Sequence, residues 1–283
     1  MDRDTARAAL HALWEADSEV WSSRWAPAFR EFAEEVVRQA GLREGERVLD
    51  IGTGTGTALA AAARAVGGPG KAVGIDASRA QAARARAHLA AAGLPANVLE
   101  MDVVSLDFPD AWFDAAVSSC GMPALSFDEA AQEVLRVLRP GGRLVMAEWC
   151  LDKVAALRIL QDVLAAHATA TPSPTLARAR QVRDFYNREA DRLYEIEHYE
   201  QRLRGVGFSA VEGRTISHTL RSFTLDAFIE ARLARSTARA EWAEMAPPAR
   251  AACMDEARAR LGHLVHDGAL EILWPMYYVK ATK

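Results

Sequence analysis

The chain has 283 residues, half of them hydrophobic, with 38 acidic and 34 basic side chains and a formal net charge of −4. This is an ordinary globular composition and excludes a disordered or fibrous chain. The charges of both signs are mixed along the sequence, and no apolar run is long enough to span a bilayer, so neither a nucleic-acid partner nor a membrane partner is expected.

Cysteine usage favours a reducing compartment. Cys120, Cys150 and Cys253 are odd in number and far apart, with none of the short spacings typical of metal clips or disulfide frameworks. The first residues lack the basic end and apolar run of a secretory signal. We therefore expect reduced thiols, no bound metal and a cytoplasmic location.

In chain order, residues 4 to 40 carry apolar positions at helical spacing, and Pro27 opens a second helical stretch that runs to Val37. Short apolar runs then alternate with alanine-rich helical stretches. The runs predicted as buried strands are Arg47 to Ile51, Ala72 to Ile75, Val98 to Met101, Phe113 to Ser118 and Arg143 to Glu148. The helices predicted between them are Thr57 to Val66, Arg79 to Ala92 and Phe127 to Leu138. Such alternation predicts a parallel sheet covered on both faces.

After Cys150 the alternation stops, and helical patterns surround two further strands, predicted at Ala210 to Ile216 and Ile272 to Val279. The predicted fold is α/β, a doubly wound, Rossmann-like, seven-stranded and mainly parallel sheet with helical additions. Four segments are expected, and they are a helical cover at 1–43, a core at 44–150, a helical lid at 151–206, and C-terminal strands at 207–283 with a helical insertion at about 217–268.

The most informative motif is the segment from Val48 to Gly56, where a strand leads directly into a glycine-rich turn and a helix. Glycine lets the backbone approach a ligand closely, and the helix start offers free amide donors with a positive dipole end. The segment predicts a cradle for a small ligand. Thr57 stands where a dinucleotide fingerprint needs its third glycine, which disfavours a nicotinamide or flavin cofactor without excluding it.

Two acidic residues follow the next two predicted strands. Asp76, in the sequence Gly-Ile-Asp-Ala-Ser, is placed to accept both hydroxyls of a ribose. Asp102 closes the third strand, where it can accept an adenine amino group while Val103 packs against the ring. Enzymes that bind dinucleotides also have an acidic residue at the position of Asp76. The combination of Asp76, Asp102 and Asp50 favours a nucleoside cofactor other than a dinucleotide.

These residues resemble the successive motifs of class I methyltransferases, which bind S-adenosylmethionine (SAM). The segments 113–119 and 135–144 also resemble the fourth strand of that family and the turn into its fifth strand, so the resemblance covers residues 44–150. The flanking regions resemble ubiquinone/menaquinone-type and other small-molecule methyltransferases more loosely. The resemblance implies SAM as cofactor, S-adenosylhomocysteine as product, and these cofactor-binding residues: Asp50, Gly52, Thr53, Gly54, Asp76, Ala77, Asp102, Val103, Ser118 and Ser119.

The resemblance implies methyl transfer to oxygen, nitrogen or carbon of a small molecule in secondary or cofactor metabolism, by a monomer or homodimer. The segment from Ser118 to Met122 lacks the Asn-Pro-Pro-Tyr type sequence that is typical of methylation at nucleobase amines. Alternatives are a protein of this fold that uses SAM structurally, a nicotinamide-dependent oxidoreductase, and a non-catalytic binding module. Cys120 and Cys150 leave a metalloid-methylating enzyme as a further alternative.

Candidate catalytic and acceptor-binding residues are less distinctive. Glu148 ends the fifth strand, and His167 lies in the predicted lid, so either is a candidate general base if the acceptor must lose a proton. Trp21, Trp25 and Trp149 are candidate substrate-binding residues, although all five side chains also fit structural roles. Several side chains in the helical segments suggest a fairly apolar acceptor: Leu160, Phe185, Tyr186, Tyr194, Phe223 and Phe228.

Overall fold

The structure is a computed structural model that describes residues 1–68, 70–190, 193 and 195–283. Tyr194, one of the predicted acceptor-lining residues, lies outside the described residues. The chain forms two compact units, each assembled from three segments. The helical unit consists of Met1–Ala28, Cys150–Glu189 and Ser217–Pro275, and the sheet unit of Phe29–Trp149, Ala190–Ile216 and Met276–Lys283.

The described strands form one sheet in the order β3-β2-β1-β4-β5-β8-β6, with β7 pairing to β8 outside this path. Their bounds are β1 Arg47–Ile51, β2 Lys71–Asp76, β3 Ala96–Glu100, β4 Phe113–Ser119, β5 Leu138–Trp149, β6 Ser209–Phe223, β7 Val265–His266 and β8 Ala269–Thr282. The four pairings among β1 to β5 are parallel, and β8 runs antiparallel to β5. The predicted α/β fold with a mainly parallel sheet is therefore confirmed.

The strand count differs from the predicted seven because of β7, a two-residue strand that pairs with the start of β8 around Asp267 and Gly268. Both turn residues have a positive φ, the conformation that a tight two-residue hairpin requires. The sequence motif Asp-Gly could have revealed this hairpin. The sequence analysis assigns about 217–268 to a helical insertion, a range that in the structure includes β7 and the last residues of β6.

The helices of the sheet unit are α3 Arg30–Ala40, α4 Thr57–Val66, α5 Arg79–Ala91, α6 Phe127–Val137 and α9 Ile196–Val206. They pack on its strands or, in the case of α9, on α6. The predicted bounds of β1 and α4 are confirmed without change. Strand β5 begins earlier than predicted, because Leu138 already pairs with Phe113 before the turn at Gly141 and Gly142 shifts the register.

The helical unit contains α1 Arg3–Val20, the short α2 Ala26–Ala28, α7 Ala155–Ala166, α8 Pro174–Ala190, α10 Leu225–Leu233, α11 Ser236–Glu244 and α12 Pro247–Leu261. A π-helical turn at Trp21–Trp25 joins α1 to α2, so Pro27 lies inside a continuous helical path instead of opening a new helix. No helix in the described part of the chain is long and apolar enough to cross a membrane.

A nearly buried ion pair ties α3 to the sheet. Arg143 donates from Nη2 to Oε2 of Glu46 at 2.7 Å and from Nη1 to Oε1 at 3.0 Å, and its Nε donates to the carbonyl of Ala40 at 2.5 Å. This bidentate geometry anchors the end of α3 beside the starts of β1 and β5.

We expect Arg143→Met to lower the free energy of unfolding by about 3 kcal/mol, because it leaves the Glu46 carboxylate buried without its partner. Urea unfolding at pH 7 measures this change. The double variant Arg143→Met/Glu46→Leu contains no unpaired charge and should recover at least half of the loss. Equal stability of the two variants would mean that the ion pair does not anchor the helix.

Candidate functional site

The glycine turn lies where the strand order of the sheet reverses. Strand β1 has β2 on one side and β4 on the other, and all three run parallel. The loops that follow β1 and β4 therefore leave the same edge of the sheet in opposite directions, which is where open α/β sheets bind their ligands. This edge carries the predicted cofactor-binding residues of the sheet unit.

Backbone conformation accounts for the glycines of the turn. Gly52, Gly54 and Gly56 have φ values of 62°, 55° and 82°, a left-handed region that other residues rarely adopt. A Cβ on Gly52 would lie 2.5 Å from Cα of Gly121, in the loop after β4. The two loops thus touch backbone to backbone, and the turn presents main-chain atoms to a ligand without intervening side chains.

Asp76, at the end of β2, braces the glycine turn. Its Oδ2 accepts a hydrogen bond from the amide of Gly54 at 2.8 Å, and its Oδ1 accepts one from the amide of Ser78 at 2.8 Å. An ionised carboxylate accepts hydrogen bonds through both oxygens, which is the kind of acceptor that ribose hydroxyls need. The carboxylate therefore links the predicted ribose position to the predicted methionine position.

Asp50 lies beneath the turn and is 1% exposed. Burial raises its pKa to about 7, with a smaller contribution from the charge of Asp76, while the hydroxyl of Thr53 donates to Oδ2 at 2.6 Å and opposes the rise. The amide of Thr53 also donates to the carbonyl of Ile75, which fixes the turn to β2. Both side chains therefore shape the turn from below.

The loop after β3 begins at the same edge. The amide of Met101 donates to the carbonyl of Asp76 at 3.0 Å, which places Asp102 and Val103 next to the end of β2. The Asp102 carboxylate accepts from the amide of Val104, and Val103 is buried. An acidic side chain and an apolar side chain thus adjoin each other at this edge, and their contact with adenine stays a prediction.

Ser118 and Ser119 end β4, but their surroundings differ. Ser118 is fully buried, and its hydroxyl donates to the carbonyl of Ile51 and accepts from the amide of Gly121. It holds the two loops together, whereas Ser119 is partly exposed. Ala77, the remaining predicted cofactor residue, is also partly exposed beside Asp76.

Glu148 lies near the end of β5 and is 6% exposed. Burial raises its pKa to about 8, although the amides of Met122 and Trp149 donate to its carboxylate and oppose the rise. Burial, and next the negative charge of Glu148, raise the pKa of the Cys120 thiol. Glu148 is therefore a buried carboxyl group at the ligand-binding edge with an unusually high proton affinity, as is typical of functional carboxyls.

The structure places His167 in the helical unit, at the end of α7. Its Nε2 lies 2.9 Å from Oε2 of Glu256 on α12, an ion pair when the imidazole is protonated. This contact joins two helices of that unit. The structure therefore places the two predicted bases in different units.

The predicted tryptophans have different environments, and Trp21 is partly buried at the start of the π-helical turn in the helical unit. Trp149 contacts Phe29 edge to face, with ring centroids 5.0 Å apart. Trp25 is 2% exposed in an aromatic core of the helical unit, where its indole donates to the carbonyl of Ala231. Its ring neighbours there are Phe223, Phe228 and Trp274. Burial in this core accounts for Trp25 structurally, and its predicted contact with substrate stays a prediction.

Sequence reasoning missed two glycines that the site requires. A Cβ on Gly121 would lie 2.2 Å from the carbonyl oxygen of Ile51, and a Cβ on Gly74 would lie 2.8 Å from Oγ1 of Thr53. Neither glycine belongs to the glycine-rich turn. The only signal in the sequence was their position, because each lies in or next to a strand that neighbours β1.

Comparisons with known proteins bear on the same segment. Residues 48–142 match the model of a family described as "Methyltransferase domain". A ubiquinone/menaquinone biosynthesis C-methyltransferase, UbiE, from Pseudomonas entomophila is 34% identical over 116 residues. That match covers 40% of this chain and 45% of the relative, so this chain spans less than half the length of such curated relatives.

Solved structures share the fold. A SAM-dependent methyltransferase from Aquifex aeolicus has a TM-score of 0.51 at 21% identity, covering 70% of this chain and 90% of that one. The [4+2]-cyclase SpnF has a TM-score of 0.55 at 22% identity, covering 92% and 83%. At these identities the likeness concerns the fold alone.

The recognised motifs, the strand order and the matched family agree on one conclusion. The predicted cofactor motifs fall inside the matched segment, at the strand ends where the fold binds ligands. Residues 48–142 of this chain are therefore similar in sequence to the methyltransferase domain family, and the chain shares the fold of solved SAM-dependent methyltransferases.

Proposed function

We propose that the whole chain transfers a methyl group from SAM to a small-molecule acceptor. The observation that carries the proposal is the hydrogen bond from Gly54 to Asp76, which joins the glycine turn to the ribose-binding acid at the switch point of the sheet. Both ends of a nucleoside cofactor would thus be held by one connected structure.

The residues at this edge fit SAM. The glycine turn from Gly52 to Gly54 would hold the methionine end of SAM, and the Asp76 carboxylate would accept hydrogen bonds from the ribose hydroxyls. Asp102 and Val103 would contact the adenine. When bound, SAM supplies a methyl group that its sulfonium has already activated. The main task of the protein is then to align the acceptor and to exclude water.

Glu148 is the better placed of the two candidate bases, because it lies near the end of β5 in the sheet unit. Its pKa of about 8 means that the carboxyl group is mostly protonated at pH 7 and becomes a base at higher pH. An acceptor that must lose a proton would then be methylated faster as the pH rises through about 8.

Two observations bear on the chemical class of the methyl acceptor. The UbiE relatives act, by their name, in ubiquinone/menaquinone biosynthesis, and the segment from Ser118 to Met122 lacks the sequence typical of nucleobase methylation. A small, fairly apolar acceptor agrees with both. We also propose a cytoplasmic monomer or homodimer.

Incubation with methyl-labelled SAM and a metabolite extract tests the proposal. Mass spectrometry should detect one labelled small molecule together with an equal amount of S-adenosylhomocysteine. Heat-denatured protein serves as the control. Tight SAM binding without label transfer would refute methyl transfer and favour the alternative in which the cofactor has a structural role, whereas absence of SAM binding would refute both.

The ribose assignment predicts that Asp76→Ala lowers SAM affinity at least about 100-fold, or about 2.7 kcal/mol, because the variant loses the brace on the turn as well as the acceptor for two hydroxyls. Isothermal titration calorimetry measures the affinity. Glu100→Gln is the matched control, since Glu100 pairs with Asp76 in register at the end of β3 and is exposed. Unchanged affinity in Asp76→Ala would contradict the assignment.

A further inference from the structure

Three arginines gather at the junction between α10 and α11 of the helical unit. Arg232 lies in the last turn of α10, Arg235 directly precedes α11, and Arg239 lies one turn further along. We call these three residues the arginine cluster. All three are partly buried, so the cluster is neither a fully solvated face nor a sealed core.

Among the described residues, the buried carboxylate of Asp17 on α1 is the one that pairs with the arginine cluster. Its Oδ1 lies 3.1 Å from Nη1 of Arg239, and its Oδ2 lies 3.7 Å from Nε of Arg235. Oδ2 also accepts hydrogen bonds from the amide and the hydroxyl of Ser236, at 2.8 and 3.0 Å. One negative charge, already engaged by Ser236, therefore faces three positive charges.

The arginines are incompletely satisfied. The Nε of Arg235 is buried, and its 3.7 Å distance to Asp17 is too long for a hydrogen bond. For Arg232, no carboxylate of the described residues comes within the 4 Å of an ion pair. Burial, and next the nearby charge of Arg235, lower the pKa of Arg232 to about 10. Arg235 and Arg239 thus share one carboxylate, and Arg232 is a partly buried cation without an ion pair in the described part of the chain, which is costly in the folded protein.

Trp21 supports one member of the cluster from below. The guanidinium carbon of Arg235 lies 5.0 Å from the centroid of the Trp21 ring, within the range of a cation–π contact. The π-helical turn from Trp21 to Trp25 places this ring four residues after Asp17. The same helical segment thus supplies both the counter-charge and the aromatic contact of Arg235.

We propose that the arginine cluster is a binding site for a small oxyanion, a carboxylate or a phosphate group. An oxyanion would balance the excess charge that Asp17 leaves and would accept hydrogen bonds from the planar guanidinium of Arg232, whose donor geometry matches two oxygens of one group. The site lies entirely within the helical unit, and the inference does not depend on methyl transfer or on SAM.

The test is thermal denaturation of the full chain without SAM, at constant ionic strength, with chloride replaced stepwise by inorganic phosphate or, in a second arm, by acetate. Saturable stabilisation is expected, and the arm with the lower half-saturation concentration identifies the preferred oxyanion. Arg232→Met should raise that concentration at least about tenfold. Asp17→Asn, which removes the competing charge, should lower it.

Arg158→Met is the matched control, because it removes one positive charge from an exposed position on α7 of the same unit and should bind as the wild type does. If Arg232→Met fails to fold, Arg239→Gln takes its place, since that side chain is 42% exposed, and should weaken binding about threefold. The proposal is overturned if stabilisation is not saturable, or if the wild type and the cluster variants respond alike.

Discussion

Gly121→Ala should be the most damaging small substitution in the sheet unit. The new methyl group would lie 2.2 Å from the carbonyl oxygen of Ile51 and 2.8 Å from Cα of Gly52, and both are backbone atoms that cannot rotate away. We expect the free energy of unfolding to fall by about 4 kcal/mol and SAM binding to be lost, because the loops after β1 and β4 must separate.

Urea unfolding and SAM titration measure the two effects. Gly205→Ala is the control, because Gly205 lies inside α9 and a Cβ there would meet nothing within 4 Å, so alanine should stabilise the helix by about 0.5–1 kcal/mol. Opposite signs for the two Gly→Ala changes would demonstrate the close approach of the loops. A Gly121→Ala protein that is stable and binds SAM normally would refute it.

Glu148→Gln should change the pH dependence of stability by an amount on the order of 5 kcal/mol. Burial raises the pKa of Glu148 from 4.5 to about 8, so between these values the folded protein holds a proton that the unfolded chain releases. The contribution of the protonated Glu148 carboxyl to the free energy of unfolding is therefore fully present below pH 4.5 and is lost as the pH rises through about 8. Glutamine does not titrate and should remove this loss.

Thermal unfolding of both proteins from pH 5 to pH 9 measures the difference, which should grow with pH in favour of the variant. Asp50, with a pKa of about 7, also makes the folded protein less stable as the pH rises. The Glu148→Gln variant should therefore retain a smaller decrease of stability with pH, and adding Asp50→Asn should remove it. Parallel curves for the wild type and Glu148→Gln would mean that Glu148 is not desolvated. Under the base hypothesis, the variant should also lose the rise of turnover with pH.

The features set by local sequence could be predicted. The bounds of β1 and α4 follow from an apolar run, a glycine-rich turn and an alanine-rich helix that adjoin in the chain. The positions of Asp76 and Asp102 could also be predicted, because the carboxyl ends of neighbouring parallel strands lie at the same edge of the sheet. These regularities depend on neighbours in sequence, which a single sequence displays.

The features set by distant contacts could not be predicted. Gly121 is required only because Ile51, seventy positions earlier, passes within van der Waals range of it. The proton affinity of Glu148 depends on the groups that exclude water from it, and the burial of Trp25 depends on Phe223, Phe228 and Trp274. Helical periodicity locates an apolar face but does not identify what covers it.

The antiparallel pairing of β5 with β8 limits how this protein can be cut for experiments. A fragment that ends near residue 150 retains the matched domain but removes the partner of Arg143 to Trp149, which leaves a long and buried strand as a bare edge. Exposed apolar edges of this kind recruit other chains and cause aggregation. Expression should therefore keep the C-terminal residues 276–283, and deletions are better made between strands than from the end.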